Sequence, residues 1–192
     1  MAAAAGIRRS GGRREDILDA AAKLFAERGF HGVGVDDIGA SVGISGPGIY
    51  RHFPSKDAML AEMLVRISER LLAEGTARVA AAPDPGAALA ALVGWHIDFA
   101  LSHPALIVVQ DRDLANVADS DRRRVRRLQR RYVELWVGVL HQIDPSRAEA
   151  EARAAAHAVF GLINSTPHSA HALPRAQMAD LLARMASAAL LS

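Results

Sequence analysis

Cysteine is absent from these 192 residues, which removes disulfides, thiolate zinc sites and cysteine nucleophiles together. Lysine is almost absent: of 23 basic residues only Lys23 and Lys56 are lysine, in a chain rich in alanine. Charge of one sign is missing too, since the balance against 21 acidic residues is only +2. The chain as a whole is no polycation, and any nucleic-acid site must be a local patch. No run approaches the roughly 18 to 20 apolar residues that span a bilayer. Met1 to Ala5 precede Arg8 and Arg9, so charge follows a very short apolar stretch, the reverse of a signal peptide. The expectation is a cytoplasmic chain without a membrane partner. A Gly-rich phosphate loop, His-Glu-x-x-His and Gly-x-Ser-x-Gly are all missing, as is a nucleophile with an obvious base. Neither an enzyme nor a resident cofactor is expected.

What remains is helix. Apolar positions recur with helical period, and no alternating strand pattern or internal repeat interrupts them. The fold is expected to be all-α, with about nine helices. Residues 1–12 hold Ala, Gly, Ser and Arg without periodicity and read as a flexible basic arm. From Arg13 onward Ile17, Ala21, Leu24 and Phe25 share a face, and Gly29 supplies a stop. A short helix over 36–42 closes at Gly43, and another runs from near Ser45 to Pro54. Ser55 then caps a long helix whose face is Leu60, Met63, Leu64, Ile67 and Leu71. Pro83-Asp84-Pro85-Gly86 is the sharpest break. Beyond it helices are expected at about 86–102, 104–111, 120–143, 146–166 and 175–190.

The stretch 38–60 carries the most information. Gly43 suits the left-handed turn between two crossing helices. Ile38, Val42, Ile44 and Ile49 are spaced to pack those helices on each other and on Leu24 and Phe25. Ser45 caps the second helix, and Pro47 sits in its first turn, where a missing N–H costs little. Tyr50, Arg51 and His52 are left as polar groups on a short helix held by a tri-helical unit, which fits insertion into a major groove.

Gly43-Ile44-Ser45, Ile49-Tyr50, His52-Phe53 and Ser55-Lys56-Asp57, with the upstream Ala21-x-x-Leu24-Phe25-x-x-x-Gly29-Phe30, resemble the helix-turn-helix signature of TetR/AcrR regulators. The resemblance implies a DNA-binding domain over 13–60, with a fourth helix from 55 linking it to an effector-binding and dimerisation domain over 61–192. It implies a ligand-responsive repressor that binds a palindromic DNA operator as a homodimer. Repression rather than activation is a family default, and operator sequence and target genes are not written in these residues. Tyr50, His52 and Lys56 match phosphate-holding positions, while Phe53 reads as packing. Arg51 is offered to a base edge or to a phosphate. Ser45 and Pro47 complete the candidate DNA face. Two departures stand out. Gly46-Pro47-Gly48 leaves the first turn of the recognition helix without long side chains, and Gly34 stands where relatives often carry a capping threonine. Arg8, Arg9, Arg13 and Arg14 are offered to the DNA backbone or a minor groove, or simply solubilise the arm.

In the larger domain the resemblance implies that helices 146–166 and 175–190 pair with a second subunit. Their apolar stripes are Ala152, Ala156, Val159, Phe160 and Ile163, then Met178, Leu181, Leu182 and Met185. A mostly apolar effector pocket is expected among Trp95, His96, Phe99, Tyr132, Trp136, Phe160 and Asn164, although such aromatics also simply fill cores. The effector is taken as a small hydrophobic molecule. The seven arginines between 122 and 131 form the polar face of an amphipathic helix. That face is either merely solvated or holds an anionic partner, flanking DNA or the anionic end of an effector such as an acyl-CoA phosphate. His168 and His171 have helical spacing but lie in a Pro-bounded segment with no carboxylate nearby, so no metal is expected there.

Overall fold

A computed structural model describes residues 12–192; the arm at 1–11 lies outside the described residues. Ten α-helices follow one another there: α1 (Arg13–Arg28), α2 (Val35–Ser41), α3 (Gly46–Ile49), α4 (Lys56–Ala81), α5 (Pro85–Ser102), α6 (Pro104–Asp113), α7 (Asp119–Ile143), α8 (Glu149–Ile163), α9 (Thr166–Ser169) and α10 (Arg175–Leu191). No strand is present among the described residues. No single helix there is long and apolar enough to cross a membrane. Three differences from the sequence pattern have local causes. The recognition helix is regular only over Gly46–Ile49, because two glycines weaken it. It continues as a turn, with His52 N and Phe53 N both donating to Ile49 O. α8 starts late because Asp144 Oδ1 accepts from Ser146 N and Oγ, closing a turn first. α9 is a single extra turn with Pro167 near its start.

The head is built from α1 to α3 and the first half of α4. Ile17, Phe25, Phe30, Ile38, Ile49, Phe53, Met59, Leu60 and Leu64 form its buried core. Side chains of this size contribute about 1.5–3 kcal/mol each when fully buried. The turn between α2 and α3 works through two glycines. Gly43 adopts φ +69, which costs an L side chain and costs glycine nothing. Gly39 lets the turn close on α2: Ile44 N donates to Gly39 O, and a Cβ on Gly39 would sit 2.6 Å from Ile44 O.

α4 belongs to two cores. Met59 to Leu64 pack in the head, while Ile67 and Leu71 join the larger cluster of α5, α7, α8 and α10. Gly75 permits the close meeting of α4 with α7, since a Cβ there would lie 2.8 Å from the Tyr132 ring. The chain then turns by 89° between α5 and the helical segment that begins at Pro104. α6 therefore leaves the body and packs on α1, and its Val109 enters the head core. The domain boundary expected at 60/61 is thus crossed by continuous packing.

Candidate functional site

The surface of the head presents the turn after α2. Ser45 Oγ accepts from Gly48 N at 3.3 Å, so this hydroxyl caps α3. Gly34 takes the equivalent place at α2, where its N–H donates to Asp37 Oδ2 at 2.8 Å. Pro47 and Arg51 are exposed, and Tyr50 is 56% exposed, an unusually open aromatic. The Arg51 side chain makes no hydrogen bond or ion pair among the described residues, while its backbone N–H donates to Gly48 O. His52 is half-buried and Phe53 is buried, the latter as a packing residue.

Two cations have duties inside the head. Lys56 Nζ donates to Phe30 O at 2.7 Å and Val33 O at 2.8 Å and lies 4.4 Å from the Phe30 ring centre. Two of its three N–H groups are committed to the loop between α1 and α2, and one remains for an external acceptor. Arg14 is no arm residue: it grips the His52 carbonyl and Glu62, and it stacks 4.0 Å over the Phe53 ring. At the head of α3 the Asp36 carboxylate fills the space a Cβ on Gly46 would need. The missing side chain at Gly46 thus leaves room for that carboxylate, while a Cβ on Gly48 would meet only ordinary van der Waals contacts.

In the body, four of the seven expected pocket residues meet around one space. An inner chamber of about 220 Å³ is lined by His96, Tyr132, Phe160 and Asn164, with Leu71 and Val133. His96 Nε2 pairs with Asn164 Oδ1 at 3.2 Å, and Tyr132 OH with His96 Nδ1 at 3.4 Å. Phe160 lies 4.9 Å from both the His96 and Trp136 ring centres. Burial pushes the His96 imidazole down to about 4 and pushes the Tyr132 phenol up, so both are neutral at pH 7.

The other three stand elsewhere. Trp136 is fully buried behind Phe160. Phe99 stacks on His103. Trp95 faces α4, where Arg70 and Arg78 lie 5.6 and 4.4 Å from its ring centre. Helix α5 is apolar on most of its circumference, so its sequence did not reveal which aromatic points where.

An outer chamber of about 540 Å³ shares Gln110, Gln129 and Asn164 with the inner one and opens past Pro167 and His168. None of the arginines at 122–131 lines either chamber. Arg122 and Arg124 pair with Asp119 and Glu69, and the others face outward from α7. The outer chamber's guanidinium is instead Arg112, beside Asp111.

Arg112 also reaches the head. It donates to Phe25 O and, at 3.3 Å, to Ala26 O, carbonyls at the end of α1. Asp113, 4% exposed, holds the same guanidinium through Nε at 3.2 Å and Nη2 at 3.0 Å. A second tie runs from His31 Nε2 to Asn116 Oδ1 at 3.1 Å. One helix thus lines the cavity and grips the head.

The neutral His96 makes a pH prediction. The unfolded imidazole titrates near 6.5 and the folded one near 4, so between those values the unfolded state binds more protons. The contribution is fully present above about pH 6.5 and is lost as pH falls toward 4, a change on the order of 3 kcal/mol. Urea unfolding at pH 7 and pH 5 measures it. His96→Leu should flatten that part of the dependence, and an unaltered slope in the variant would assign the titration to another group.

Comparison with known proteins agrees with this architecture. Residues 17–63 match the family described as bacterial regulatory proteins, tetR family, and residues 82–190 match the tetracyclin repressor-like C-terminal domain. The HTH-type transcriptional repressor KstR2 of Rhodococcus jostii is 38% identical over 130 residues, 67% of this chain. The matched stretch spans 64% of that repressor, less than two thirds of its length. A TetR-family transcriptional regulator from Bordetella parapertussis superposes with TM-score 0.81 at 22% identity, covering 91% of this chain and 94% of that one. AibR, solved in complex with isovaleryl coenzyme A and operator DNA, superposes with TM-score 0.74 at 19% identity, covering 90% of this chain and 97% of that one. With a head that matches one family domain and a body that matches the other, this chain belongs to the TetR family of bacterial regulatory proteins.

Proposed function

We propose that this protein is a ligand-responsive transcriptional repressor, which binds a palindromic operator as a homodimer and is released by a small hydrophobic effector carried as an acyl thioester. The observation that carries the reading is α6: Gln110 and Arg112 line the cavity, while Arg112 holds the end of α1. A ligand that favours another position of α6 changes the head, and only such differential binding shifts a conformational equilibrium. The thioester class is supported by a cavity whose inner part is lined by no Asp, Glu, Lys or Arg, and by AibR, whose complex contains isovaleryl coenzyme A.

Each head offers one recognition helix, and two-fold symmetry doubles the contacts on a symmetric site. The apolar stripes of α8 and α10 are not free for a second subunit. Ala152, Ala156, Val159, Ile163, Met178 and Leu182 are buried within the chain against neighbouring helices. The outward face is small and smooth: Ala154, Ala158 and Gly161 on α8, then Met185 and Ala188 on α10. That face is the dimer surface in this reading, and the protein works where its operator is, in the cytoplasm.

A gel-shift titration on the DNA upstream of the protein's own gene tests the reading. Tyr50→Phe should weaken all sites alike, because phosphate contacts carry no sequence information. Arg51→Ala should relax preference at one base pair by about 1–3 kcal/mol; uniform weakening would make Arg51 a phosphate contact. Lys56→Ala should lower the melting temperature as well as the affinity, since two loop carbonyls lose their donor. No sequence-dependent DNA binding under any condition would remove the repressor reading.

A further inference from the structure

The two chambers meet at three side-chain amides from three different elements: Gln110 on α6, Gln129 on α7 and Asn164 just after α8. Gln110 and Gln129 have no side-chain hydrogen bond among the described residues. Asn164 uses its oxygen on His96 Nε2 and keeps both N–H donors. No Asp, Glu, Lys or Arg lines the inner chamber, whose lining also includes the buried Ser68 and the exposed His157, whereas Asp111 and Arg112 line the outer one. The cavity therefore sorts a ligand into three parts: a neutral end inside, a neutral hydrogen-bonding link at the neck, and a charged end outside.

Resting on the effector reading above, we propose that these three carboxamides read the carbonyl of a thioester, and that the inner chamber limits its acyl group to a compact ring or short branched chain. The limit is one of volume. A dry cavity of about 150 Å³ takes one benzene, so the part of an acyl group that this chamber of about 220 Å³ surrounds is modestly larger than that, and the rest of a long fatty chain would lie outside it. The link is one of chemistry. An unpaired amide beside an apolar ligand loses its water without replacement, so a bound group must hydrogen-bond at the neck, and Asn164, whose oxygen is already used on His96, is left with donors that call for an acceptor. A thioester oxygen supplies one, and its polar carrier continues toward Arg112 and the opening at Pro167.

Isothermal calorimetry on the full chain decides this with four probes: isovaleryl-CoA, benzoyl-CoA, stearoyl-CoA and free coenzyme A. The two compact thioesters should bind at least tenfold more tightly than stearoyl-CoA and than coenzyme A alone. Gln110→Leu with Gln129→Leu should cut their affinity at least tenfold while leaving the ligand-free melting temperature unchanged, because neither amide has an internal partner to lose. The single Gln129→Leu should show the same direction with a smaller loss. Equal or tighter binding of stearoyl-CoA, or undiminished affinity in the variants, overturns the inference and leaves the effector reading standing. If no thioester binds and none releases DNA, the effector reading falls and this inference with it.

Discussion

Gly39→Val is expected to abolish operator binding without removing any side chain of the proposed DNA face. The substitution places a branched Cβ where Ile44 O already lies 2.6 Å away, and that neighbour is backbone inside a closed turn rather than a side chain that rotates aside. Overpacking of this kind typically costs about 1–3 kcal/mol when side chains give way, and more when they do not. Against a total stability of roughly 5–15 kcal/mol, and within a small head, the α2–α3 unit loses its geometry. Even Gly39→Ala should destabilise, although alanine is the better helix former by about 1 kcal/mol. Gly138 on α7 provides the control: no atom lies within 4 Å of the place its Cβ would occupy, so Gly138→Ala should be neutral or slightly stabilising. Thermal melts followed by circular dichroism, alongside gel shifts, read both. A Gly39→Val protein that melts like wild type and binds DNA would refute the close packing of the turn.

Ala158→Glu combined with Met185→Glu should separate the subunits of the proposed dimer and lower operator affinity by about three orders of magnitude or more. Both positions are exposed on the single chain, Met185 at 46%, so the charges do not disturb the core of either helix. Buried in a subunit interface, four carboxylates on a two-fold axis would lack partners, which is costly. A single head then keeps only weak, largely phosphate-driven binding, of the order of 10⁻⁴–10⁻⁶ M, against the 10⁻⁸–10⁻¹¹ M typical of specific complexes. Sedimentation and gel shift should change together while the circular dichroism spectrum does not. A double variant that still sediments as a dimer would move the interface to another face.

Much of the head was legible because its constraints are local. Gly43 at the turn, Ser45 and Ser55 as caps, and the buried Ile38, Ile49 and Phe53 all sit where spacing and capping chemistry put them. Lys56 and Arg14 were not legible as packing residues, since their partners are main-chain carbonyls and a ring brought close only by the tertiary fold.

In the body, the aromatic cluster was legible in part. His96, Tyr132, Phe160 and Asn164 face one chamber, but Trp95 turns toward the arginines of α4. Gln129 carried a signal: it is a neutral residue amid arginines, three positions before Tyr132, and hence on the inward face of α7. Arg112 carried none. Its importance comes from the 89° turn that lays α6 across the head, which no local pattern encodes.

The relation between cavity and head rests on α6, and one measurement addresses it directly. Fluorescence anisotropy gives the affinity of the wild-type chain and of Arg112→Ala for a labelled operator, with and without saturating isovaleryl-CoA. Coupling of the usual 1–3 kcal/mol weakens wild-type binding by about 5- to 150-fold when the ligand is present. Arg112→Ala should still bind operator, yet its affinity should change less than about twofold on adding ligand, because the guanidinium that joins α6 to Phe25 O and Ala26 O is gone. A wild-type affinity indifferent to the bound ligand, or an Arg112→Ala protein that responds as fully as wild type, would contradict transmission through this contact.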